Sequence, residues 1–190
     1  MSAPQNTALV VIDVQMAMAH DDAAGADRSC RQAEDNIAAL LARARGGGTP
    51  VFHVHHRATD PADPFHADAA GSAVQPVAAP ASDEPVVIKT TSSGFASTDL
   101  EQRLRDAGIK RLILCGATAN HCVESTTRSA CDLGFEAIYV SDAVWAYGVT
   151  GPDGVLHTGD AIHSVVLATL DGEIASVRPT ATVLTEMRGG

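Results

Sequence analysis

The chain has 190 residues, 45% of them apolar, which is enough to build a substantial core and too many for a disordered segment. Its formal net charge of −10 leaves no basic face for nucleic acid or an anionic membrane, and the aromatic content of 4% disfavours a base-stacking surface. We therefore expect one domain over residues 1–190 that acts on a small molecule, with no nucleic-acid partner and no membrane partner.

Targeting and redox signals favour the cytoplasm. The N-terminal seven residues lack the basic and apolar regions of a signal peptide, and no stretch approaches the roughly 20 apolar residues of a membrane span. No CxxC pair occurs among the four cysteines, Cys30, Cys115, Cys122 and Cys131. Unpaired cysteines commonly pack as small apolar side chains in a reducing compartment, so we expect a cytoplasmic protein.

Apolar runs alternate with segments of helical period along the chain. In chain order we predict a strand at 8–13, a helix at 29–45, strands at 50–55 and 86–89, a helix at 98–108, a strand at 111–115, a helix at 120–133, a strand at 136–140, a helix at 161–170 and a strand at 174–177. Such alternation indicates right-handed crossovers and a mostly parallel sheet of about six strands with helices on both faces. The predicted fold is a three-layer α/β/α architecture.

Two further segments carry local signals. Thr98 and Glu101 have the spacing of a capping box, which predicts that Thr98 caps the helix that follows it. The segment 57–85 is rich in Pro, Ala and Asp and has no clear period. Loops of that length are usually lids or binding loops, so we expect this segment to build much of a substrate pocket.

Three reactive side chains stand at strand ends. Asp13 and Lys89 each close an apolar run, and Cys122 lies just beyond a third run, near the start of a predicted helix. The carboxyl ends of parallel strands share one edge of a sheet, and that edge is where open α/β sheets place their sites. We therefore expect these three side chains to meet.

Their combined chemistry favours nucleophilic cleavage of an amide. A thiol attacks as its thiolate, which Lys89 and a helix start would stabilise, while Asp13 would take the proton and deliver it to a leaving amine. Backbone N–H groups at the same helix start would stabilise an oxyanion. Alone, each residue has an ordinary interpretation: a turn residue for Asp13, a surface-reaching lysine for Lys89 and a buried thiol for Cys122.

Ordered motifs over nearly the whole chain resemble the isochorismatase-like cysteine hydrolase superfamily, which includes nicotinamidases and N-carbamoylsarcosine amidase. The motifs are Val11-Ile12-Asp13-Val14-Gln15, Lys89 with Ser93-Gly94-Phe95 and Thr98-Asp99-Leu100, Gly116-Ala117-Thr118-Ala119-Asn120-His121-Cys122-Val123 with Thr126-Thr127-Arg128, Leu133-Gly134-Phe135, and Val140-Ser141-Asp142-Ala143. The tail from residue 151 resembles an uncharacterised subgroup. The resemblance implies an isochorismatase-like, Rossmann-like hydrolase fold.

The resemblance also implies roles for particular residues. It implies a catalytic triad of Asp13, Lys89 and Cys122, a cis peptide bond between Ala117 and Thr118, and an oxyanion hole formed by the N–H groups of Thr118 and Cys122. The expected substrate contacts are Gln15, Phe95, Asn120 and His121. Core packing is an equal alternative for Phe95, and helix capping is an alternative for Asn120 and His121.

Histidines after the second predicted strand raise the question of a metal. His53 and His55 alternate onto one strand face and His56 follows them, so a metal is chemically conceivable. The Asp-Trp-His pattern with which nicotinamidases bind a divalent metal is absent, so we expect structural or substrate-contacting histidines. We predict neither a metal nor another cofactor.

The aromatic pair Trp145 and Tyr147 lies in a segment predicted as a loop over residues 143–156. These rings either close the pocket or form a subunit contact, because aromatic residues are favoured in interface cores. The superfamily resemblance implies a homo-oligomer, a dimer or higher.

The predicted function is hydrolysis of a non-peptide C–N bond in a small amide or carbamoyl compound through a thioester. One alternative is vinyl-ether or imide hydrolysis on the same scaffold, because the isochorismatases themselves cleave a vinyl ether and often lack the cysteine. A second alternative is a catalytically silent member that binds a small metabolite or partner. The presence of Asp13, Lys89 and Cys122 together argues against silence.

Overall fold

A six-stranded parallel sheet organises the protein in the computed structural model, which describes residues 6–187. Outside the described residues lie 1–5 and 188–190. The first of these ranges belongs to the N-terminal segment that we predicted to lack a signal peptide. The strands are β1 (Thr7–Ile12), β2 (Val51–His56), β3 (Val86–Lys89), β4 (Arg111–Ala117), β5 (Glu136–Trp145), β6 (Val149–Thr150), β7 (Leu156–His157) and β8 (Ser176–Arg178). The sheet order is β3-β2-β1-β4-β5-β8, and every neighbouring pair is parallel. The short strands β6 and β7 form a separate antiparallel pair.

Helices cover both faces of this sheet. They are α1 (Met16–Ala23), α2 (Ala33–Gly47), α3 (Leu100–Asp106), α4 (Glu124–Asp132), α5 (Gly159–Leu170) and α6 (Thr180–Glu186). One apolar cluster joins the sheet to α3, α4 and α5, and a second joins its opposite face to α2 and α6. The predicted three-layer α/β/α fold is confirmed. No helix within residues 6–187 has the length and apolar character that crossing a bilayer requires.

Apolar periodicity explains the central elements. The strand β1 has the sequence Thr-Ala-Leu-Val-Val-Ile and is buried along its whole length, as expected for a central parallel strand covered on both faces. In α2 the buried positions Ile37, Leu40, Leu41 and Ala44 recur at helical spacing. That helix ends at Gly48, whose φ of 68° is the left-handed conformation that glycine adopts without steric cost.

Several helix boundaries differ from the sequence predictions. The predicted helix at 29–45 begins only at Ala33, because Cys30 has a φ of 44° that interrupts helical geometry. The helix predicted at 120–133 starts as a π-helical turn over Ala119–Val123 and becomes α-helical at Glu124. The helices α1 and α6 and the strand pair β6–β7 were not predicted.

The predicted capping box forms only in part, because Thr98 Oγ1 accepts a hydrogen bond from Leu100 N–H at 3.3 Å but the reciprocal contact of Glu101 is missing. Asp99, not Thr98, occupies the N-cap of α3, and Thr98 donates its hydroxyl hydrogen to the carbonyl of Gly94 at 2.6 Å. Glu101 accepts a hydrogen bond from Arg105 at 2.7 Å instead of returning to the helix start. The predicted loop at 143–156 is also partly wrong, because β5 continues to Trp145.

Candidate active site

Asp13, Lys89 and Cys122 meet at the carboxyl edge of the sheet, as predicted. Lys89 Nζ lies 2.7 Å from Asp13 Oδ2 and 3.3 Å from Cys122 Sγ. Asp13 directly follows β1, Lys89 ends β3 and Cys122 lies in the π-helical turn after β4. The lysine side chain extends from the edge strand past β2, so its ammonium group bridges the carboxylate and the thiol. Asp13 and Lys89 are each only 1% exposed, which removes both charges from bulk water.

Burial raises the pKa of both the carboxylate and the thiol. It raises the pKa of Asp13 above its usual value, although the Lys89 ammonium opposes that shift. Burial, with a smaller contribution from the Asp13 charge, raises the pKa of Cys122 to about 12 against the opposing effect of Lys89. This raised pKa favours the protonated form of the resting thiol. Asp13 Oδ1 is buried without a hydrogen-bond partner among residues 6–187, so this oxygen is free to accept a proton.

The backbone around this cluster is unusual at two positions. Asp13 has a φ of 51°, in the left-handed region that Asp tolerates better than most residues. Its N–H donates to the carbonyl of Val54 at 2.8 Å, and its carbonyl accepts from Gln15 N–H at 2.8 Å. Gly116 has a φ of 121°, and a Cβ there would lie 2.0 Å from the carbonyl oxygen of Ile12, so only glycine fits where β4 passes β1.

The predicted cis peptide bond between Ala117 and Thr118 is present. Beyond it, the carbonyl of Thr118 accepts hydrogen bonds from His121 N–H and Val123 N–H, both at 3.2 Å. Thr118 Oγ1 also lies 3.0 Å from His121 Nδ1. These contacts hold the turn that carries Cys122 against the end of β4.

A pocket of about 500 Å³ opens over the thiol. This volume falls in the range of about 300–1,000 Å³ that is common for small-molecule sites. Its lining comes from several elements: Asp13, Met18, Asp21, His56, Asp63, Phe65, Thr90, Thr91, Ser92, Thr118, His121, Cys122 and Tyr147. His56 Nδ1 lies 3.5 Å from Lys89 Nζ, and the His56 ring contacts Phe65 edge to face with centroids 5.4 Å apart.

Comparison with known proteins decides the family. The model of the isochorismatase domain matches residues 7–169. This chain belongs to the isochorismatase family. The protein is accordingly a hydrolase, because the members of this family are hydrolases.

Relatives of the isochorismatase family match over most of this chain. An uncharacterised family member from Bacillus subtilis, YrdC, is 32% identical over 96% of this chain and 96% of its own length. The ureidoacrylate amidohydrolase RutB from Klebsiella pneumoniae is 32% identical over 77% of this chain and 76% of its own.

Solved structures of the family match the fold. A family member from Chromobacterium violaceum has a TM-score of 0.93 with 32% identity, covering 99% of this chain and 96% of its own. A cysteine hydrolase from Pseudomonas syringae pv. phaseolicola has a TM-score of 0.89 with 26% identity, covering 98% and 94% of the two chains.

Only one of the four predicted substrate contacts lines the pocket of this family member, and that residue is His121. Gln15 is fully buried, and its side-chain amide binds backbone groups. The amide nitrogen donates to the carbonyl of Ser72 at 2.8 Å and to the carbonyl of His56 at 3.1 Å, and the amide oxygen accepts from His56 N–H at 2.8 Å. Phe95 stacks on Phe135 with centroids 5.8 Å apart and packs against the core. Asn120 lies beside His121, outside the lining.

The aromatic pair in the 143–156 segment divides between core and pocket. Trp145 is fully buried within its own chain, where the Arg28 guanidinium lies 4.1 Å from its ring centroid, so its predicted role in a subunit contact or in closing the pocket is wrong. Tyr147 does line the pocket and donates its hydroxyl hydrogen toward the carbonyl of Met18 at 3.1 Å.

The three histidines of β2 occupy different environments, two in the buried interior and one in the pocket. His53 is fully buried, and its Nε2 lies 2.8 Å from Glu84 Oε2 at the opposite edge of the sheet. His55 is buried beside it, and burial lowers the pKa of His55 to about 4. His56 alternates to the pocket. Within residues 6–187, no three His, Cys, Asp or Glu side chains are grouped so as to hold a metal ion. The absence of a metal from the working protein remains a prediction.

Sequence reasoning missed several pocket residues. Met18 and Asp21 belong to α1, whose only buried residue is Ala17, so no apolar period marks that helix. Asp63 and Phe65 are the contribution of the 57–85 segment to the lining, which is less than predicted. Their spacing carries no motif, so the sequence gives no signal that would single them out.

Proposed function

We propose that this hydrolase cleaves a non-peptide C–N bond in a small amide or carbamoyl compound, with Cys122 as the nucleophile. The observation that carries this proposal is the contact of Lys89 Nζ with both Cys122 Sγ, at 3.3 Å, and Asp13 Oδ2, at 2.7 Å. A thiol, a base and a fixed cation at such distances are the parts that nucleophilic catalysis requires. All three open onto or support a pocket of about 500 Å³, large enough for a small substrate.

In the first step the Cys122 proton passes to Asp13 as the sulfur attacks the substrate carbonyl. The high pKa of the resting thiol is consistent with proton transfer that is coupled to attack, and the Lys89 ammonium stabilises the thiolate character that develops on sulfur. The N–H groups of Thr118 and Cys122 would stabilise the oxyanion. Asp13 then donates its proton to the leaving nitrogen, the C–N bond breaks, and a thioester remains on Cys122.

In the second step water hydrolyses the thioester. Asp13, again a carboxylate, takes a proton from the attacking water, and the hydroxyl oxygen bonds to the carbonyl carbon. The C–S bond breaks, the acid product leaves, and the proton held by Asp13 returns to the Cys122 sulfur. The free Oδ1 of Asp13 would accept and release the proton in each of these transfers.

The relatives support the choice of bond and nucleophile. RutB is named an amidohydrolase, and the Pseudomonas syringae structure is named a cysteine hydrolase. Vinyl-ether hydrolysis has less support, because it does not need the thiol that this pocket contains. A silent binding protein has less support for the same reason.

Ammonia release from a panel of small primary amides and carbamoyl compounds tests the proposal, with Cys122→Ala as the loss-of-function variant. Cys131→Ala is the matched control, because Cys131 is a half-buried thiol outside the pocket lining. Mass spectrometry of a rapidly quenched reaction should find an acyl group on the peptide that contains Cys122. Ammonia release by Cys122→Ala at the wild-type rate would refute the nucleophile assignment.

We also propose a cytoplasmic homo-oligomer. With Trp145 buried internally, the exposed apolar side chains of the nearby strand pair and its connecting turn are the better candidates for a subunit contact: Val149, Val155 and Leu156 are 53%, 51% and 64% exposed. Light scattering of the native protein and of Leu156→Asp tests this assembly. A monomeric native protein with full activity would contradict it.

A further inference from the structure

We propose that the pocket selects small amides that carry a positively charged group, and that Asp21 and Asp63 bind this group. The inference rests on the proposed function for the reacting bond and names the substrate class of the same site. Its basis is that two carboxylates without an ion-pair partner line the pocket, whereas the nearby lysine and arginine are bound to other groups of the protein.

Two lining carboxylates are available to a ligand. Asp63 is half-buried; its Oδ1 accepts a hydrogen bond from Phe65 N–H at 2.7 Å, and its Oδ2 has no hydrogen bond or ion pair within residues 6–187. Asp21 is exposed, and its side chain likewise has no partner in the part of the chain that is described. Both residues line the pocket that Cys122 opens onto. A bound ammonium or amidinium group would give each carboxylate a charge-assisted hydrogen bond.

The nearby cations are already engaged. Lys89 pairs with Asp13 at 2.7 Å, so its charge is neutralised within the cluster. Arg57 is turned to the backbone, where its Nη1 donates to the carbonyls of Ser72 and His56 at 2.6 and 3.3 Å, and it does not line the pocket. No arginine is among the lining residues. A substrate carboxylate would therefore meet Asp21 and Asp63 with no lysine or arginine in the lining to oppose their charge.

The apolar part of the lining fits the rest of such a substrate. Met18, Phe65 and Tyr147 supply an aliphatic and two aromatic surfaces. Phe65 is held by its contact with His56, and the Tyr147 hydroxyl lies 3.1 Å from the Met18 carbonyl and 3.0 Å from Asp22 Oδ1. An aliphatic spacer between the amide and the cationic group matches these surfaces.

Charged thiol reagents test the role of the carboxylates without relying on amide hydrolysis. Aminoethyl, ethyl and sulfonatoethyl methanethiosulfonate are cationic, neutral and anionic; each transfers its thioalkyl group to the Cys122 sulfur and releases methanesulfinate. Peptide mass spectrometry measures the rate at Cys122, and the rate with a small free thiol corrects for intrinsic reactivity. We expect the corrected cation-to-anion rate ratio to fall about three- to tenfold in the Asp21→Asn/Asp63→Asn double variant.

The control variant is Asp35→Asn, which removes one exposed negative charge in α2 outside the pocket. It should leave the ratio close to that of the native protein. The native ratio should also decrease as salt is added, because Asp21 is exposed and its field is screened. A ratio in the double variant that equals that of Asp35→Asn would overturn the proposal.

Substrates provide the second measurement. γ-Aminobutyramide, valeramide and glutaramate share one chain length and carry a positive, no and a negative charge. We expect kcat/KM to decrease in that order. In the double variant the ratio of kcat/KM for γ-aminobutyramide to that for valeramide should decrease. If no amide releases ammonia, the proposed function fails and the reagent ratios alone decide the role of the carboxylates. A native preference for glutaramate would refute the substrate class.

Discussion

Two carboxylates, buried Asp13 and half-buried Glu84, lie at opposite edges of the sheet; each pairs with a cation, and they differ in the number of hydrogen bonds that they accept. Glu84, at the amino edge, accepts from Arg45 Nε, Arg45 Nη2 and Ala81 N–H, each at 2.8 Å, and lies 2.8 Å from His53 Nε2. Asp13, at the carboxyl edge, has the Lys89 ion pair at 2.7 Å and one oxygen without a partner. Hydrogen bonds lower the pKa of Glu84 to about 2, whereas burial raises the pKa of Asp13.

We expect this difference between a structural ion pair and the reactive pair that we propose. A cavity of about 520 Å³ lies beside Glu84 and one of about 500 Å³ lies beside Asp13, so size does not distinguish them. Glu84 is strongly held as an anion and has no thiol beside it in the lining. Asp13 keeps an acceptor free and shares its lysine with Cys122. A buried carboxylate that lacks a hydrogen-bond partner beside a thiol is therefore a better guide to a candidate reactive site than the size of the cavity.

The largest expected difference between Asp13 and Glu84 is in turnover, measured after each carboxylate is replaced by its amide. Asp13→Asn should lower kcat/KM by about 10²–10⁴-fold, because the proton acceptor is lost. Glu84→Gln should change it less than about twofold, because no reacting group contacts Glu84. Steady-state kinetics on one amide substrate measures both. Equal losses in the two variants would contradict the assignment of Asp13 as the base.

The cation that Asp13 shares with the thiol gives the next effect. Lys89→Met should lower kcat/KM by about 10²-fold or more, because an apolar side chain cannot stabilise the thiolate that forms during attack. Lys110→Met, at an exposed position before β4, is the control and should retain the native rate. Retention of the native rate in Lys89→Met would make the lysine structural. The rate of Cys122 alkylation by iodoacetamide, measured by mass spectrometry, should fall in parallel.

We expect the replacement of Glu84, which should hardly affect turnover, to lower the stability of the fold. Glu84→Gln should lower the free energy of unfolding by about 1–3 kcal/mol, because Arg45 and His53 lose a charged acceptor. Asp83→Asn, at the exposed neighbouring position, is the control and should change stability by less than about 0.5 kcal/mol. Urea unfolding followed by circular dichroism measures the difference. A Glu84→Gln protein as stable as Asp83→Asn would remove the structural role.

The pH dependence of stability should separate the two carboxylates by sign. The pKa of Glu84 falls from 4.5 to about 2 on folding, so its contribution is present above pH 4.5 and is lost as the pH falls toward 2. The pKa of Asp13 is raised above 3.8, so its contribution is largest below that pH and decreases as the pH rises through the folded value. Relative to the native protein, Glu84→Gln and Asp13→Asn should give difference curves of opposite slope. Parallel curves would show that the two sites are equivalent.

The sequence predicted the elements that bury an apolar face. The strands β1 to β5 and the helices α2, α3 and α5 carry runs or periods that burial requires, and their ends fixed where Asp13 and Lys89 lie. The helices α1 and α6 were missed because each buries only one or two side chains and so has no apolar period to detect.

The cluster was more predictable than the walls of its pocket. Strand ends converge for topological reasons, so Asp13, Lys89 and Cys122 could be brought together without knowledge of any side-chain contact. Gln15 and Phe95 lie in the sequence motifs that contain Asp13 and Lys89. The Gln15 side chain nevertheless donates to a backbone carbonyl, and the Phe95 ring packs on Phe135. Sequence proximity to a reactive residue does not specify which way a neighbouring side chain points.

Gly116 limits how this scaffold can be re-engineered. A Cβ there would meet the Ile12 carbonyl at 2.0 Å and force β1 and β4 apart, and these two strands carry Asp13 and the turn that holds Cys122. The distance between Asp13 and Cys122 thus depends on a close contact between two main chains, and a substitution in the pocket lining could not compensate for its loss. A library aimed at new substrates should therefore vary Met18, Asp63 and Phe65 freely and keep Gly116 constant.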